Sequence, residues 1–528
     1  MNSLGPGRIL PLRLPRVCVA IWGTDAAEMF DKAEAVVRDN PLLEFRLDYL
    51  KQPASGIMRI RRFAEIHPEA ILIGTCRRAA NGGKFRGKLK AQIDLLMKAA
   101  DAGCQFVDLD IQSAEQLKTA DFEKLRSRVG IVLSFHDFKA TRNLDGTFRR
   151  MLAFPADYYK LVSTANTLAD NVEMMKFLQN QSQRHSLIGL CMGEQGIISR
   201  VLGVRAGSVF TFGAANPGDE TAPGQVTARS LRDIYRIEQI DQATRVYGVA
   251  GDPISHSMSP LIMNTAFRRE SVNAVCIALH ARKVDDLMTC VEDIPIHGLA
   301  VTMPYKQEIL KYLENTDPLT AKVGACNTVV RSQDGKLFGF NTDIAGVLRP
   351  LEQRLSLPGA KVLVLGAGGA AKAAVFGLKE RGAEVYVMNR TTAKGQKLAR
   401  RAHARLLKRK ELKKASFDLI INATPVGMGN GKQSLLAEPE INARYVMDMV
   451  YDPVETRLLK LAKERGAHTI SGLEMFTNQA ARQFEIWTGK PAPIIEMQSA
   501  VTNALAAVAA AETARNGTGK TRKKKSRK

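Results

Sequence analysis

The chain has 528 residues, too many for one compact core, and the usual domain size of about 100–200 residues predicts two to four domains. Hydrophobic residues make up 45% and charged residues 24%, which is ordinary globular composition, and no apolar run approaches the ~18 residues of a membrane span. The net charge of +23 suggests nucleic-acid binding, but eight positive charges lie in the tail 515–528. The remaining excess suits carboxylate or phosphate substrates, so we expect small-molecule substrates and no nucleic acid.

The N-terminus and the cysteines bear on the compartment. The first sixteen residues contain three arginines but no contiguous apolar segment, and Trp22 already belongs to a strand-like run, so we expect no secretory signal. The seven cysteines are scattered without a C-x-x-C pair, and no histidine cluster has metal-ligand spacing. These features predict a cytoplasmic protein without a metal.

The first half alternates apolar runs with polar, helix-compatible stretches. The runs begin near Val17, Leu42, Ile71, Phe106, Ile131, Tyr158, Leu187 and Val209. Eight strand–helix units in about 240 residues predict a (β/α)8 TIM barrel, for which about 250 residues is typical. A last helix is predicted from about Thr227 to Ile240, and the barrel domain is expected to cover residues 1–242.

Charged and polar residues lie in or just after these runs. Because the active site of such a barrel lies at the carboxyl ends of its strands, we expect these side chains to converge there. They are Glu44, Arg46, Asp48, Arg77, His136, Lys160, Arg200 and Gln225. Lys160 stands inside the apolar run YYKLVS, which makes it a candidate Schiff-base nucleophile, although a salt-bridged or snorkelling lysine is the simpler alternative. His136 taken alone is more often a packing or capping residue.

A new pattern begins at Arg245 with the strand-like segment RVYGVAG. Alternating strands and helices from here predict an open α/β architecture. We expect an α/β substrate lobe over residues 243–345, completed by helices from about 484–512, and a Rossmann domain over 346–483. The residues after these helices, 513–528, are expected to form a disordered basic tail because they contain no large apolar side chains.

The Rossmann prediction depends on KVLVLGAGGAAKAA (361–374), followed about twenty residues later by the strand EVYVM. Gly366 permits a tight turn, Gly368 lets the backbone approach a pyrophosphate, and Ala371 takes the packing position. A glycine pattern alone is equally compatible with a structural turn. An NAD site favours an acid after the second strand, whereas this strand ends in Asn389 and Arg390, which favours the 2′-phosphate of NADP.

Six motifs of the first half together resemble the type I 3-dehydroquinate dehydratase family: EFRLD (44–48), TCRR (75–78), SFHDF (134–138), KLVSTA (160–165), CMGEQGIISR (191–200) and TAPGQ (221–225). The resemblance implies that Lys160 forms an imine with the substrate ketone, that His136 is the general acid/base and that Arg200 binds the substrate carboxylate. It also implies further residues that contact the ring hydroxyls or each other: Glu44, Arg46, Arg77, Thr221 and Gln225. Asn81 replaces the usual glutamate of this family, and Thr221 replaces a serine.

The proposed chemistry explains these residue types. A protonated imine is an electron sink that acidifies the adjacent carbon, and a histidine that titrates near neutrality can take that proton and deliver one to the departing hydroxyl. An arginine presents a planar fork to a carboxylate. We expect burial and the cations Arg46, Arg77 and Arg200 to favour the neutral amine of Lys160. Loss of the carboxylate at Asn81 puts the rate of dehydration in question, but not the reaction class.

Six motifs of the second half resemble the shikimate dehydrogenase family over residues 245–512: SHSMSP (255–260), VTMPYK (301–306), GACNT (324–328), FNTD (340–343), NATPVGM (422–428) and GLEMFTNQA (472–480). The resemblance implies a catalytic pair, Lys306 and Asp343, and binding of the substrate carboxylate by Ser257 and Ser259. It implies that the substrate pocket is lined by Thr302, Asn327, Tyr451 and Gln479. The implied NADP-binding residues are Gly366, Ala367, Gly368, Gly369, Ala370, Asn389, Arg390, Thr391, Lys394, Thr424, Met428 and Gly472.

Taken alone, the catalytic pair has simpler interpretations. Lys306 follows Pro304 at a predicted helix start, where the positive end of the helix dipole would favour a neutral amine, but an isolated lysine there is more often a surface residue. Asp343 could cap a helix that begins at Ile344.

The two resemblances predict one bifunctional enzyme of the shikimate pathway, because the product of the first reaction, 3-dehydroshikimate, is the substrate of the second. Two alternatives remain open at this point. The second half could be a quinate dehydrogenase that uses NAD, although both serines and Arg390 favour shikimate and NADP. The chain could also be a ligand-sensing regulator built from degraded enzyme domains, although the four expected catalytic residues are all present.

Overall fold

The computed structural model describes residues 13–254, 257–429 and 432–525, with side chains as far as residue 510. Of these residues, those within Met1–Val246, Pro253–Ser255 and Asn273–Pro295 form one compact unit, and those within Tyr247–Asp252, His256–Val272 and Ile296–Lys528 form the other. Among the helices in the described ranges, none is long and apolar enough to cross a membrane.

The first unit is built on eight parallel strands that form a barrel in chain order. They are β1 (Val17–Ile21), β2 (Leu42–Arg46), β3 (Ile71–Thr75), β4 (Phe106–Asp110), β5 (Gly130–His136), β6 (Tyr158–Thr164), β7 (Leu187–Met192) and β8 (Thr211–Ala214). β8 pairs with β1, and a bridge between Leu187 and Ser208 links the start of β7 to the segment before β8. The predicted TIM barrel is confirmed. Its eighth strand begins at Thr211 rather than Val209 because Val209 is engaged with Leu187.

The helices of the barrel are α1 (Ala26–Val36), α2 (Pro53–Ile66), α3 (Leu89–Asp101), α4 (Ile111–Ala114), α5 (Thr119–Arg126), α6 (Leu144–Met151), α7 (Leu168–Gln181) and α8 (Ile197–Leu202). The prediction of one continuous helix after the eighth strand is wrong. A π-helical turn covers Ser230–Ile234 and a 3-10 turn covers Ile237–Gln239. Between them Arg236 has a φ of 51°, a left-handed conformation that interrupts helical hydrogen bonding.

Strand alternation places the charged residues inside the barrel near the carboxyl ends of the strands. Successive inward positions read Leu42 then Glu44 on β2, and Phe106 then Asp108 on β4. On β6, Lys160 likewise follows an inward tyrosine at the amino end. Because side chains of a strand alternate with a period of two, each apolar residue at the amino end is followed by a polar residue on the same face. The apolar half fills the barrel and the polar half forms a site.

The second unit begins with β9 (Arg245–Gly251) and α9 (Ser259–Arg269); the next elements along the chain, β10 (Ala274–His280) and α10 (Val284–Asp293), are grouped with the first unit. The strands of a mixed sheet that belong to this unit follow the order β9-β11-β13-β14-β12. Its other strands are β11 (Ile296–Val301), β12 (Asn315–Thr316), β13 (Thr328–Arg331) and β14 (Leu337–Phe340), with helices α11 (Pro318–Val323) and α12 (Asp343–Glu352). β13 is antiparallel to both β11 and β14.

A second, fully parallel sheet follows in the same unit, in the order β17-β16-β15-β18-β19-β20. Its elements are β15 (Lys361–Leu365), α13 (Gly369–Glu380), β16 (Glu384–Met388), α14 (Thr392–Arg401), β17 (Arg405–Leu406), β18 (Phe417–Asn422), β19 (Ala443–Asp448), α15 (Arg457–Glu464), β20 (His468–Ile470) and α16 (Gly472–Thr488). The strand order reverses between β15 and β18, which is the Rossmann topology and places a ligand crevice at that switch point. The Rossmann prediction is confirmed.

The last helix, α17 (Ile494–Lys525), packs beside α9 through buried Met497 and Val501, and Glu496 pairs with Arg269 at 2.9 Å. The range of this helix overlaps the expected disordered tail at 513–528, which stays a prediction. An alanine-rich run at 504–511 precedes the tail, and alanine has the highest helix propensity, so the helix propagates into it. Residues 526–528 lie outside the described part of the chain.

Candidate active sites

All eight barrel residues that the resemblance implies line one cavity at the carboxyl ends of the strands: Glu44, Arg46, Arg77, His136, Lys160, Arg200, Thr221 and Gln225. The sequence analysis missed its apolar wall, to which Phe138, Met192 and Phe212 contribute. Asp48 does not line the cavity, because it forms a two-point ion pair with Arg46 at 3.0 and 2.9 Å.

Lys160 is buried, with 4% of its surface exposed, and its ammonium has carboxylate partners. Its Nζ lies 3.0 Å from Asp108 Oδ2 and 3.5 Å from Glu44 Oε1, and it stands 3.9 Å from the centre of the Phe212 ring. The expected cations Arg46, Arg77 and Arg200 line the same cavity, but the ion-pair partners of Lys160 are these two carboxylates. A buried ammonium is stable only when it is paired, so two carboxylates are positioned around it.

Asp108 connects this lysine to the remainder of the site. It accepts hydrogen bonds from Arg77 Nη2 and Ser134 Oγ, both at 2.7 Å, on the carboxylate oxygen that does not face Lys160. Burial alone would raise the pKa of Asp108, but Lys160 and Arg77 hold it well below its usual range. The sequence analysis missed this residue, although the alternation in FVDLD (106–110) already places it on the inward face of β4.

His136 lies at the end of β5, where its Nε2 is 3.1 Å from Arg77 Nη1. Since a guanidinium can only donate, this contact requires a neutral imidazole with an unprotonated Nε2. Desolvation and the nearby cations Arg77 and Lys160 lower the pKa of His136 well below its ordinary value. The side chain is thus poised to accept a proton.

Arg200, on α8, is a buried guanidinium with unused hydrogen-bonding capacity. Only 1% of its surface is exposed, its Nη2 donates to Pro223 O at 3.3 Å, and its Nε has no partner within the described residues. Burial lowers the pKa of Arg200 to about 10. An arginine that lines a cavity and is desolvated without a counter-ion favours an anionic ligand there.

Gln225 is oriented by Thr221, which donates to its Oε1 from the backbone at 2.7 Å and from the hydroxyl at 3.1 Å. The substituted Thr221 therefore keeps the function of a hydroxyl donor. Asn81, at the other departure from the family pattern, donates its amide to Asp110. The hydrogen-bond partner of His136 in this site is Arg77.

The second unit brings Lys306 and Asp343 together as an ion pair with 2.5 Å between Nζ and Oδ2. The other oxygen of Asp343 accepts from Asn327 Nδ2 at 2.8 Å. Asp343 is the first residue of α12, so the expected capping of a helix that begins at Ile344 is not its role. Lys306 lies in a turn before a 3-10 helix, Glu308–Tyr312, and the prediction of a helix start there is wrong; its position is set by the ion pair instead of a helix dipole.

Asn327 is held in place from three sides. Its Oδ1 accepts from the Thr342 backbone at 2.7 Å and from Thr328 Oγ1 at 2.9 Å, while Gln483 Nε2 donates to its carbonyl at 3.2 Å. Gln483 was missed by the sequence analysis. This buried network fixes the amide that orients the Asp343 carboxylate.

The remaining expected substrate residues lie as follows. Ser259, at the start of α9, donates its backbone N–H to Ser257 Oγ at 3.2 Å, and Thr302 follows β11. Tyr451 stacks on Phe476 with 4.8 Å between ring centres, and Gln479 donates to the Phe476 carbonyl at 3.0 Å.

The packing of α16 against α12 brings Gln479 towards Asp343. Gly346 permits this close approach, because a Cβ there would lie only 2.9 Å from the Gln479 Cβ. Gly346 is one helical turn after Asp343 on α12. Gln479 on α16 therefore lies near the start of α12.

A second cavity lies beyond the carboxyl ends of β15, β16 and β18, at the switch point of the Rossmann sheet. Six of the expected cofactor residues line it: Gly366, Ala367, Gly368, Asn389, Arg390 and Thr424. The other six are not among its lining residues: Gly369, Ala370, Thr391, Lys394, Met428 and Gly472. Gly472 instead permits tight packing, since a Cβ there would lie 2.4 Å from the Val450 backbone.

The glycine turn fits a dinucleotide. Gly366 has a φ of 120°, and a Cβ there would approach the Ala423 carbonyl to 3.0 Å. A Cβ on Gly368 would instead enter open space at the N-terminus of α13, where no side chain caps the helix. Free backbone N–H groups and an open approach suit a pyrophosphate. A Cβ on Gly369 would lie 3.7 Å from the Lys306 side chain, so this lysine borders the same helix start.

The charges around this cavity are all positive. Arg390 is joined by Lys408 and Arg409, which the sequence analysis missed, and no acidic residue is among the lining side chains. An acid that would bind the ribose of NAD is replaced by Asn389, as predicted. Within the described residues, no group of three or more His, Cys, Asp or Glu side chains could hold a metal ion.

These two sites define the class of protein. A barrel with a buried, ion-paired lysine beside a neutral histidine has the machinery of a lyase that works through an imine. A Rossmann sheet with an open glycine turn beside a Lys–Asp pair has that of a nicotinamide-dependent dehydrogenase.

Models of known protein families match both halves of the chain. The model for type I 3-dehydroquinase matches residues 17–242. Models for the shikimate dehydrogenase substrate-binding domain, for shikimate/quinate 5-dehydrogenase and for the shikimate 5′-dehydrogenase C-terminal domain match residues 249–329, 350–438 and 472–502.

Among curated relatives, the chloroplastic bifunctional 3-dehydroquinate dehydratase/shikimate dehydrogenase of Arabidopsis thaliana is 34% identical over 476 residues, covering 86% of this chain and 78% of the relative. The shikimate dehydrogenase (NADP(+)) of Methanosarcina acetivorans is 40% identical over 50% of this chain and 99% of its own length, and that of Pyrococcus furiosus is 37% identical over 48% and 93%. The chain belongs to the family of bifunctional 3-dehydroquinate dehydratase/shikimate dehydrogenases.

Proposed function

We propose that the first unit dehydrates 3-dehydroquinate to 3-dehydroshikimate through an imine on Lys160, and that the second unit reduces 3-dehydroshikimate to shikimate with NADPH. The observation that carries the first assignment is the charge network from Lys160 through Asp108 and Arg77 to neutral His136. Together with Arg200, which lines the same cavity, this network supports Lys160 as the nucleophile, His136 as the base and Arg200 as the residue that holds the substrate carboxylate.

In the first reaction the Lys160 amine attacks the ketone carbon, and loss of water forms a C=N bond. The carboxylates of Asp108 and Glu44 stabilise the positive charge of the protonated imine. Neutral His136 takes the proton from the carbon next to the imine, and the protonated imidazole then supplies a proton to the departing hydroxyl. Hydrolysis of the imine releases the product and returns the lysine.

In the second reaction, residues of the chain position the substrate and supply a proton. Lys306 donates a proton to the carbonyl oxygen being reduced, while Asp343 and Asn327 hold the lysine in place. The glycine turn would hold NADPH, which would supply the hydride. The preference for NADP is supported by Arg390, by the all-positive lining of the cavity and by two relatives named as NADP(+) enzymes.

Cofactor-linked product formation tests both assignments in one set of reactions. With 3-dehydroquinate, NADPH oxidation requires both sites; with 3-dehydroshikimate, it requires only the second. Lys160→Ala should abolish the first signal and retain the second, whereas Lys306→Ala should abolish both. Quinate with NAD, run as a separate arm, would support a quinate dehydrogenase if it were turned over faster than shikimate with NADP.

Borohydride trapping tests the imine directly. Addition of borohydride with 3-dehydroquinate should label Lys160 irreversibly, because reduction converts the C=N bond into a stable amine. Lys139, an exposed lysine after β5, provides a matched control, and Lys139→Ala should trap as the parent does. A mass-mapped adduct on another lysine, or full dehydration by Lys160→Ala, would overturn the assignment.

Two further points remain proposals. We place the dehydratase within residues 1–242 and the dehydrogenase within 243–528, so that each expressed alone should catalyse its own reaction. We also propose a cytoplasmic location, which is supported by the lack of a disulfide among the buried cysteines of the described chain. The similar plant enzyme is named as chloroplastic.

A further inference from the structure

The edge of the Rossmann sheet brings two separate chain segments to the same place. Val387 on β16 pairs with Leu406 on β17, and the next residue, Leu407, donates its N–H to the Val387 carbonyl at 2.9 Å. The strands are parallel, so the residues that follow them emerge at the same edge. Asn389 and Arg390 follow one strand, and Lys408 follows the other.

Arg390 and Lys408 both line the cavity beyond the glycine turn. Neither side chain forms an ion pair within the described chain, whereas the adjacent Arg409 is held by Glu440 through two contacts of 3.1 and 2.6 Å. Glu411 is the single acid between residues 390 and 414, a stretch with eleven basic residues. Its carboxylate accepts from the backbone N–H of Lys408 at 2.7 Å and leaves the ammonium unpaired.

We propose that Lys408 is a second phosphate-binding cation, which holds the 2′-phosphate of NADP together with Arg390. This inference rests on the proposed use of NADP. It assigns a residue that determines cofactor specificity and that lies about twenty residues after the segment Asn389-Arg390-Thr391. Two cations suit the ligand because a phosphate monoester carries about −1.5 to −2 charge at pH 7. Arginine supplies a planar fork and lysine a mobile point charge that can approach a different oxygen.

The test measures binding of adenosine 2′,5′-diphosphate and of 5′-AMP, which differ only by the 2′-phosphate, to the full-length protein by calorimetric titration. Lys408→Ala should weaken 2′,5′-diphosphate binding about tenfold or more and 5′-AMP binding less than about twofold, as expected for one charge-assisted contact. Lys408→Arg should restore most of the difference. Lys410→Ala removes an exposed lysine of the same segment that does not line the cavity, and it should leave both affinities unchanged.

The two ligands separate failure of this inference from failure of the proposed cofactor. If the parent protein binds both ligands equally, the NADP preference is wrong and Lys408 has no such role. If the parent discriminates but Lys408→Ala retains that discrimination, Arg390 acts without Lys408 and the inference alone is overturned. Equal weakening of both ligands by Lys408→Ala would assign the lysine to the shape of the cavity and would overturn it as well.

Discussion

Replacement of Asp108 by asparagine tests the central electrostatic feature of the barrel. The substitution keeps the shape of the side chain and an acceptor for Ser134, but it removes the charge shared by Lys160 at 3.0 Å and Arg77 at 2.7 Å. The carboxylate is buried, with 3% of its surface exposed. Asp108→Asn therefore leaves two buried cations without their common counter-ion.

Removal of one partner from a buried ion pair costs about 3–5 kcal/mol, because the remaining charge stays desolvated. Glu44, at 3.5 Å from Lys160, still offers partial compensation, so we expect a loss near the lower end, about 3 kcal/mol. With a urea m-value of about 2–3 kcal/mol/M, the unfolding midpoint should fall by about 1–1.5 M. Dehydration should be lost, while reduction of 3-dehydroshikimate should be retained.

The assay must report on the barrel alone, since a chain with two units need not unfold in one step. The protein contains two tryptophans, Trp22 in the first unit and Trp487 in the second. In a Trp487→Phe background, the fluorescence of Trp22 follows unfolding of the barrel. Both the parent and Asp108→Asn would carry this background.

Acid dependence supplies a second readout. The folded-state pKa of Asp108 is depressed, so its ionised form contributes stability that is fully present above the unfolded value of about 3.9 and is lost as pH falls below it. The stability gap between the parent and Asp108→Asn should be constant from pH 7 to about 5 and should narrow below about pH 4.

A matched control comes from the same strand. Asp110 is also buried, but its carboxylate accepts from Ser113 and Gln92 and forms no ion pair among the described residues. Asp110→Asn should cost about 1 kcal/mol, the usual net value of a hydrogen bond. Equal losses in the two variants, or a loss under about 1 kcal/mol in Asp108→Asn, would refute the assignment of Asp108 as the shared counter-ion.

Two other predictions follow from the geometry. Because desolvation and neighbouring cations lower the pKa of His136, the acid limb of the dehydratase kcat/KM profile should lie well below pH 6.5; a limb at or above that value would contradict a neutral resting histidine. Deletion of residues 515–528 should leave both activities intact, because the buried anchors of α17, Met497 and Val501, precede it; loss of either turnover would show that the tail has a catalytic or structural role.

The barrel and its site could be predicted because strand alternation and motif residues carry independent information. Glu44, Lys160 and His136 each lie on the inward face of a strand, and the carboxyl ends of parallel strands bring them together regardless of the loops between. Asp108 shares this signal but has no recognisable motif around it, which is why the sequence analysis missed it. Its importance becomes visible only when Lys160 and Arg77 are placed on either side of it.

Other features depend on contacts between distant segments and have no local signal. The segment around Lys306 resembles a helix start because proline is common in the first turn of helices. The lysine is instead positioned by its ion pair with Asp343, 37 residues away in the sequence. Lys408 lies in a run of basic residues that resembles a solvated surface, and only the pairing of β16 with β17 brings it beside Arg390. The charged composition of the last residues of α17 gives no sign of a helix. The range of the helix includes them because it extends from the alanine-rich run before them.

The two lysines proposed as catalytic residues show how similar Lys–Asp ion pairs can serve opposite proton transfers. Lys160 must lose a proton before it can attack a ketone, and its carboxylate partner Asp108 also accepts from Arg77, which contacts the neutral His136. Lys306 must give a proton, and its carboxylate partner Asp343 is held by the neutral amide of Asn327. The local sequences YYKLVS and VTMPYK do not distinguish these roles. The distinction comes from the partners of each carboxylate: Arg77 and His136 beyond Asp108, and a fixed amide beyond Asp343.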